Sequence, residues 1–237
     1  MELKFLGRGN AFNYKECNNS AFILEKDNLF LLDCGSLVFA KIMELNLLDK
    51  VNNLYIFITH LHPDHAGSLG TLIDGFYFYM NKNKKPCLVC ASEKQKNMLV
   101  NFLNITGTPM KHYDFADTNN LPFKSFNSVG FTQVKHQQGM LSYAIEFATN
   151  GGLIVFTGDT CDIHYIKKLF DGQKIDKLYV ETVLKNISGL HMPFDILKEI
   201  IPKDRRKDCY IMHIGNQELI DTVKKEGFNV VEVVKGV

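Results

Sequence analysis

Short apolar runs, separated by Gly, Asn and Asp, fill the first third of the chain. Runs of four or five residues that are rich in Leu, Ile and Phe are typical of buried β-strands, and the polar residues between them are typical of turns. We therefore predict strands at residues 3–6, 21–24, 29–32 and 54–58, with a helix at residues 38–45.

Helical patterns become more frequent after residue 66. We predict a helix at residues 67–80, a strand at residues 87–91 and a further helix at residues 93–102. Ser92 directly precedes the last of these, and Gln95 lies three residues further on, which is the arrangement of a capping box.

The second half of the chain repeats this alternation. Strands are predicted at residues 131–134, 143–147, 153–156, 178–180 and 210–214, and helices at residues 163–170, 194–200 and 218–226. Many strands, with helices towards the end of each half, favour an α/β fold in which two mixed sheets pack face to face beneath outer helices. No low-complexity linker divides the sequence, so we predict one domain over residues 1–237.

Composition and charge restrict the possible partners. The chain has 237 residues, of which 46% are hydrophobic, enough for one sizeable core. Its formal net charge is only +1, so it has no general attraction for a long polyanion, and we expect no long nucleic acid as a partner. No apolar run approaches the roughly 20 residues of a membrane span, so we expect no membrane partner.

Cysteine usage indicates a reducing compartment. Six cysteines occur, and Met1 leads directly into a strand-like segment without a secretory leader. The pair Cys87 and Cys90 has no second pair to complete a zinc knuckle, so we interpret it as structural. We expect reduced thiols and a cytoplasmic location.

Residues 59–67 carry the strongest chemical signal. They read Thr-His-Leu-His-Pro-Asp-His-Ala-Gly and follow a predicted strand. Alternation along an extended stretch places His60 and His62 on the same side, and the turn at the proline lets Asp64 and His65 face a second position. One short loop can therefore supply ligands for two cations.

The pattern His-x-His-x-Asp-His after a hydrophobic strand resembles the metallo-β-lactamase superfamily, and the fold we expect is its αββα sandwich. The resemblance implies three further ligands near later strands: His136, Asp159 in a Gly-Asp-Thr triplet, and His213. The two metal positions implied are His60, His62 and His136 for one cation and Asp64, His65 and His213 for the other, with Asp159 bridging both.

Imidazole and carboxylate ligands suit zinc, so we expect two Zn²⁺ ions, with Mn²⁺ or iron as chemically acceptable occupants. The motif has His62 where the di-iron, oxygen-reducing members of the superfamily have glutamate, which disfavours redox chemistry. Two such cations favour hydrolysis of a phosphodiester. We expect Asp64 to serve in catalysis as well as in metal binding.

A second motif lies between Asp159 and His213. Residues 189–193 read Gly-Leu-His-Met-Pro and resemble the additional histidine motif of the ribonuclease Z branch, in which the histidine helps to protonate the leaving oxygen. The resemblance implies that His191 is a general acid. The alternative is a loop histidine that caps the next helix. Glu181 either orients His191 or lies on the surface.

Ribonuclease Z enzymes carry a long tRNA-gripping arm between the third histidine and the bridging aspartate. Here two predicted strands and the turn at residues 150–152 occupy that segment. A compact member without the arm resembles the phage anti-Pycsar enzymes, which degrade cyclic mononucleotides such as cyclic CMP and cyclic UMP. We therefore predict a cyclic-nucleotide phosphodiesterase that forms nucleoside monophosphates and serves as a phage counter-defence in the host cytoplasm.

Other functions and partners stay open at this point. An RNA or tRNA 3′ endonuclease without the arm is one alternative, and an ester or thioester hydrolase of the same fold is another. The aromatic run at residues 76–80 indicates either a homodimer interface or a core helix packed on both sides. Phe12 and Tyr14 could stack on a base, although packing is the commoner role of such residues.

Overall fold

Helices and strands alternate through the residues that the computed structural model describes, 2–80, 84–172 and 174–236. The strands are β1 (Lys4–Gly7), β2 (Ser20–Glu25), β3 (Asn28–Leu32), β4 (Asn53–Phe57), β5 (Cys87–Val89), β6 (Asp114–Ala116), β7 (Ser128–Val134), β8 (Ser142–Ala148), β9 (Leu153–Phe156), β10 (Ile175–Glu181), β11 (Cys209–Met212) and β12 (Asn229–Val230). The α-helices are α1 (Val38–Glu44), α2 (Pro63–Ala66), α3 (Leu69–Gly75), α4 (Glu93–Ile105), α5 (Ile163–Phe170), α6 (Phe194–Ile200) and α7 (Gln217–Lys225). A π-helical turn, Phe76–Met80, continues α3, and 3₁₀ turns occupy Tyr14–Glu16, Met110–His112, Thr118–Asn120 and Lys203–Asp208.

Two six-stranded sheets have the same connectivity. Their strand orders are β1-β2-β3-β4-β5-β6 and β12-β11-β10-β9-β8-β7. In the first sheet β2 is antiparallel to its neighbours and β3 to β6 are parallel, and in the second sheet β8 is antiparallel and β9 to β12 are parallel. The carboxyl ends of ten strands, all except β2 and β8, therefore lie at one edge of each sheet.

The sheets pack face to face, and the helices cover their outer faces. The layer between the sheets is rich in aromatic side chains, among them Phe5, Phe30, Phe57, Phe147 and Phe156. A second apolar layer joins the first sheet to α1, α3 and α4, and a third joins the other sheet to α5, α6 and α7. This architecture confirms the predicted sandwich of two mixed sheets under outer helices, while the single-domain organisation stays a prediction.

Strand β3 shows why its sequence lacks a polar face. Leu29 and Leu31 pack with the helix layer, whereas Phe30 and Leu32 point into the layer between the sheets. Because successive side chains of a strand face opposite sides, burial of both faces requires an unbroken apolar run.

The predicted helix at residues 67–80 is wrong in its start and in its continuity. Helix α2 already begins at Pro63, since proline fits the first position of a helix without losing a hydrogen bond. The chain then breaks before α3. At the break, the Ser68 hydroxyl donates to the Gly35 carbonyl oxygen at 2.6 Å and accepts from the Phe39 amide at 3.1 Å. These bonds tie the break to the start of α1.

Other differences lie at element ends and in short edge strands. The predicted strand at residues 210–214 stops at Met212, because His213 adopts a left-handed backbone conformation with φ of 58°. Strands β6 and β12 were not predicted, since three and two residues are too few to show alternation. All six cysteines are free thiols. Among the described residues, no helix combines the length and apolar character needed to cross a membrane.

Candidate metal centre

Loops from both sheets meet at the edge where the parallel strands end. The histidine motif follows β4, His136 follows β7, Asp159 follows β9 and His213 follows β11. The α2 turn brings Asp64 and His65 back towards the same edge and buries both. All seven predicted ligands are thereby brought together, although they come from four separate segments.

One group of potential ligand atoms belongs to three histidines and an aspartate. His60, His62, His136 and Asp159 each place one ligand atom within 4.8 Å of the others. Nε2 of His60 lies 3.0 Å from Nδ1 of His62, and that Nδ1 lies 3.2 Å from Nε2 of His136. Three nitrogens so close together can converge on one cation.

A second group lies beside the first and shares Asp159 with it. Its members are Asp64, His65, Asp159 and His213, all buried. Nε2 of His213 is 3.2 Å from Oδ2 of Asp64 and 3.3 Å from Oδ2 of Asp159. Nε2 of His65 is 3.3 Å from the other oxygen of Asp159. The Asp159 carboxylate is therefore in position to contact two cations.

Most of the outward-facing ring nitrogens are held by neighbouring acceptors. The pairs are Nδ1 of His60 with Oγ1 of Thr59 at 3.0 Å, Nε2 of His62 with Oε1 of Gln137 at 2.7 Å, Nδ1 of His65 with Oδ2 of Asp33 at 2.8 Å, and Nδ1 of His136 with the Leu190 carbonyl oxygen at 3.0 Å. Each acceptor fixes the proton on the outer nitrogen, so the inner nitrogen presents a lone pair.

Asp33 supports the second group, and its role was not predicted. It is fully buried just after β3, where its carboxylate accepts bonds from the Thr59 amide at 2.7 Å, the Thr59 hydroxyl at 2.8 Å and the His65 ring. Burial raises the pKa of the Asp33 carboxyl, although His65 opposes the rise. The only sign of Asp33 in the sequence was its position, as a single aspartate between the apolar run at residues 29–32 and Cys34-Gly35.

Unsatisfied atoms and charges indicate that this cluster fits divalent cations. Nε2 of His65 and Oδ1 of Asp159 are buried without a hydrogen-bond partner, which is costly unless another group satisfies them. Although burial alone would raise it, His213 and His65 hold the pKa of the Asp159 carboxyl well below its usual range. Burial and the nearby His65 lower the pKa of His60 strongly, which favours the neutral, metal-binding imidazole.

His191 lies next to the shared aspartate. Its Nδ1 is 3.0 Å from Oε1 of Glu181 and 3.8 Å from Oδ2 of Asp159, and its ring stacks on that of His213 with 5.4 Å between centroids. Burial would lower its pKa, but the hydrogen bond and charge of Glu181, together with Asp159, raise the pKa of His191 to about 9. A cation bound to Asp159 would oppose this rise, because like charges repel.

Glu181 is fully buried, so the alternative of a solvated surface glutamate is wrong. It terminates β10, and its Oε1 also accepts a hydrogen bond from the Thr160 amide at 3.0 Å. Burial raises the pKa of the Glu181 carboxyl. Glu181, His191 and His213 form a third close set of potential ligands, in which His191 could bind a cation or hold a proton.

Comparisons with known proteins agree with this geometry. Residues 1–235 match the family model described as Anti-Pycsar protein Apyc1. The chain is 27% identical over 241 residues to an Anti-Pycsar protein Apyc1 from Bacillus phage 010DV004. This alignment covers 91% of this chain and 90% of the relative.

Solved structures share the fold at low sequence identity. The metallo-beta-lactamase fold protein YhfI from Bacillus subtilis has a TM-score of 0.71 at 17% identity and covers 99% of this chain and 95% of its own. The short form of human tRNase Z has a TM-score of 0.65 at 18% identity and covers 92% of this chain and 94% of its own. The fold is therefore that of the metallo-β-lactamases, as predicted.

The family match and the two adjacent histidine and aspartate clusters confirm the predicted resemblance. Together, the match and the clusters identify the chain as a metal-dependent hydrolase with a divalent metal site. By the match over residues 1–235, the chain belongs to the Anti-Pycsar protein Apyc1 family.

Proposed function

We propose that the chain is a dinuclear zinc phosphodiesterase that hydrolyses cyclic mononucleotides to nucleoside monophosphates. The observation that carries this proposal is the pair of four-residue ligand groups that share Asp159, with the His191 ring beside the shared carboxylate. Two adjacent cation positions and a proton donor are the parts that an in-line displacement at phosphorus requires.

The proposed ligands are His60, His62 and His136 for the first cation, Asp64, His65 and His213 for the second, and Asp159 for both. Zinc suits these donors, and Mn²⁺ is an acceptable substitute. When bound, two such cations supply a nucleophilic water at neutral pH and stabilise negative charge on the phosphate oxygens.

Asp64 has a proposed role in catalysis as well. Burial would raise the pKa of the Asp64 carboxyl, but His213 and His65 hold it well below its usual range, so the group is ionised at neutral pH. An ionised carboxylate beside the second position can accept a hydrogen bond from the attacking water and orient its lone pair towards phosphorus.

His191 is the proposed general acid. Glu181 accepts from Nδ1, which fixes the ring and leaves Nε2 as the proton donor. The amide oxygen of Asn186 accepts from the His191 backbone amide at 3.3 Å, which fixes the loop around the ring. A ribose alkoxide is a poor leaving group, so proton transfer from a positioned imidazolium accelerates its departure.

The surroundings of the centre favour a small substrate. Residues 137–158 consist of a short loop and the hairpin of β8 and β9, so they form no arm that could grip a tRNA. A net charge of +1 gives little long-range attraction for polynucleotides. A cyclic mononucleotide needs one phosphate position at the cations and one base position, which a compact site provides.

A substrate panel tests the proposal. Purified protein would be incubated with 3′,5′-cyclic CMP, UMP, AMP and GMP, with cyclic dinucleotides, with a 3′-extended pre-tRNA, and with acyl and thioester substrates, each with and without chelator. We expect chelator-sensitive formation of mononucleotides from the cyclic mononucleotides. Faster processing of the pre-tRNA would instead identify an RNA endonuclease, and turnover of acyl or thioester substrates alone would identify the other alternative hydrolase.

A homodimer is proposed as well. The π-helical turn after α3 buries Phe76 but leaves Phe78 and Tyr79 exposed by 53% and 87%, so it is not a core helix packed on both sides. Tyr79 lines a cavity of about 530 Å³, together with Phe39 and Met80 among other residues. Light scattering at several concentrations tests the assembly, and a monomeric mass would reject it.

The proposed setting is the cytoplasm of a phage-infected host, since one relative over most of the chain is phage-encoded. Expression of the active protein in cells that accumulate a cyclic mononucleotide should lower the level of that nucleotide. An Asp159→Ala variant should leave it unchanged.

A further inference from the structure

Two apolar side chains are exposed to solvent on loops that leave the sheets at the metal edge. Among the described residues, four large apolar side chains are more than 85% exposed: Phe12 (90%), Tyr79 (87%), Ile105 (86%) and Ile187 (94%). Phe12 lies on the loop after β1 and Ile187 on the loop after β10, and both loops leave the sheets at the metal edge. Ile105 ends α4, a helix of 13 residues that starts at that edge and leads about 20 Å away from it.

The Phe12 loop is fastened to the last metal-ligand segment. The Asn10 amide and the Asn13 side chain both donate to the Ile214 carbonyl oxygen, at 3.2 and 3.0 Å, and Ile214 directly follows His213. The Asn10 side chain also accepts from the Phe12 amide at 3.1 Å. Phe12 therefore sits on a turn whose position is fixed relative to the second ligand group.

The Ile187 loop is fastened to the other side of the centre. The side chain of Asn186 donates to the His191 carbonyl oxygen at 2.5 Å and accepts from the His191 amide. The carbonyl oxygen of Leu190, in the same loop, accepts from the His136 ring of the first ligand group. Ile187 thus precedes a loop segment that contacts both the proposed acid and a proposed ligand.

We propose that Phe12 and Ile187 are the two apolar walls of a nucleobase subsite, a refinement that rests on the proposed function. A nucleobase has two flat apolar faces, and every base can stack on an aromatic ring whatever its hydrogen-bonding edge. Walls that are fixed before binding lose little conformational entropy when the base enters. The phosphate lies at the cations while the base covers the two exposed side chains.

The test separates base binding from chemistry. Phe12→Ala and Ile187→Ala would be compared with wild type on cyclic AMP, cyclic UMP and methyl ribofuranoside 3′,5′-cyclic phosphate, which has the same reacting bond but no base. We expect Phe12→Ala to raise KM for the nucleotides by about 5- to 100-fold, more for the purine because of its larger stacking area. Ile187→Ala should raise it by about 2- to 5-fold. Neither should alter kcat, nor KM for the base-free diester.

Matched variants control for a general loss of apolar surface. Ile105→Ala removes an equally exposed side chain elsewhere and should leave every KM unchanged, and Phe12→Trp should restore nucleotide binding. An unchanged nucleotide KM in Phe12→Ala would overturn the subsite, as would an equal rise on the base-free diester or a change in molar mass that marks Phe12 as a subunit contact. If wild type hydrolyses the cyclic nucleotides but Phe12→Ala leaves their KM unchanged, the subsite fails and the proposed function stands. If wild type hydrolyses no cyclic nucleotide, the proposed function fails and the subsite with it.

Discussion

The two ligand groups of the metal centre use similar side chains but differ in their exposure to solvent. In the first group His62 and His136 are half-buried, whereas every member of the second group is buried. The acceptors that hold the outward-facing ring nitrogens, here called the outer partners, differ in the same way. Exposed Gln137 holds the ring of His62, whereas fully buried Asp33 holds the ring of His65.

If both groups bind cations, as proposed, this difference predicts different roles for two positions that sequence motifs treat as equivalent. A fully enclosed ligand set with a buried carboxylate behind it favours tight, slowly exchanging binding, whereas a half-open set leaves room for water or substrate. We expect the second position to be the tighter one. Substrate phosphate is expected to approach from the side of the first.

The largest effect should follow from Asp159→Ala, because Asp159 belongs to both groups and its removal should affect both cation positions at once. We expect loss of both cations and a fall in turnover of at least about 10⁴-fold, since the nucleophile and the charge stabilisation disappear together. Metal analysis and cyclic-nucleotide turnover measure the two effects. Asp195→Ala, at an exposed position, is the control, and retention of two cations by Asp159→Ala would refute the bridge.

Replacement of His191 should slow catalysis while leaving both groups filled. His191→Ala is expected to reduce kcat on cyclic nucleotides by roughly 10²–10⁴-fold, because the ribose oxygen then leaves without a proton. Bis(4-nitrophenyl) phosphate has a leaving group that needs no proton and should be hydrolysed almost as fast as by wild type. Equal losses on both substrates, or loss of a cation, would show that His191 is a ligand or a structural residue.

Changes to the outer partners should separate the two positions. Gln137→Ala should weaken the looser cation by about 10- to 100-fold, because the His62 ring loses the acceptor that fixes its proton. Asp33→Asn should weaken the tighter cation by a similar factor through His65. Stepwise chelator competition measures both, with Gln138→Ala as the control. If Gln137→Ala instead weakened binding of the tighter cation, the proposed ranking of the two positions would be reversed.

The smallest effect concerns Glu181, which lies behind the acid. Protonated His191 is the active form, so turnover should fall as pH rises through its pKa, which Glu181 raises. Glu181→Gln removes that charge and should move the alkaline limb to lower pH, with roughly tenfold slower turnover at mildly alkaline pH. Profiles of kcat against pH for this variant and for exposed Glu199→Gln test the shift. An unmoved alkaline limb would exclude a charge effect of Glu181 on the acid.

The sandwich and the cluster of potential ligands could be predicted from the sequence because both follow from local sequence patterns. Apolar runs of strand length marked most strands, and ligand types at strand ends led to His136, Asp159 and His213. Since the carboxyl ends of parallel strands share an edge, these positions had to converge once the fold was correct. The ligand roles themselves stay predictions until a cation is measured.

The outer partners could not be predicted, because they depend on which side chains face each other across the fold. Asp33 precedes His65 by 32 residues, and Gln137 follows His62 by 75. Neither residue belongs to a motif with the histidine it holds. The burial of Glu181 was also undecided, since one carboxylate at the end of a strand can face either the solvent or the site.

The repeated connectivity of the two sheets makes each proposed metal position depend on both halves of the chain. Strands β1 to β6 and β7 to β12 are two half-molecules of the same topology, and each ligand group takes two residues from either half. Asp33 and Asp159 follow the third strand of their respective halves and contact opposite nitrogens of His65. A nascent chain that has emerged only as far as β6 therefore carries two of the four residues of either group, and the second group is complete only after the last proposed ligand, His213, has been synthesised and folded into place.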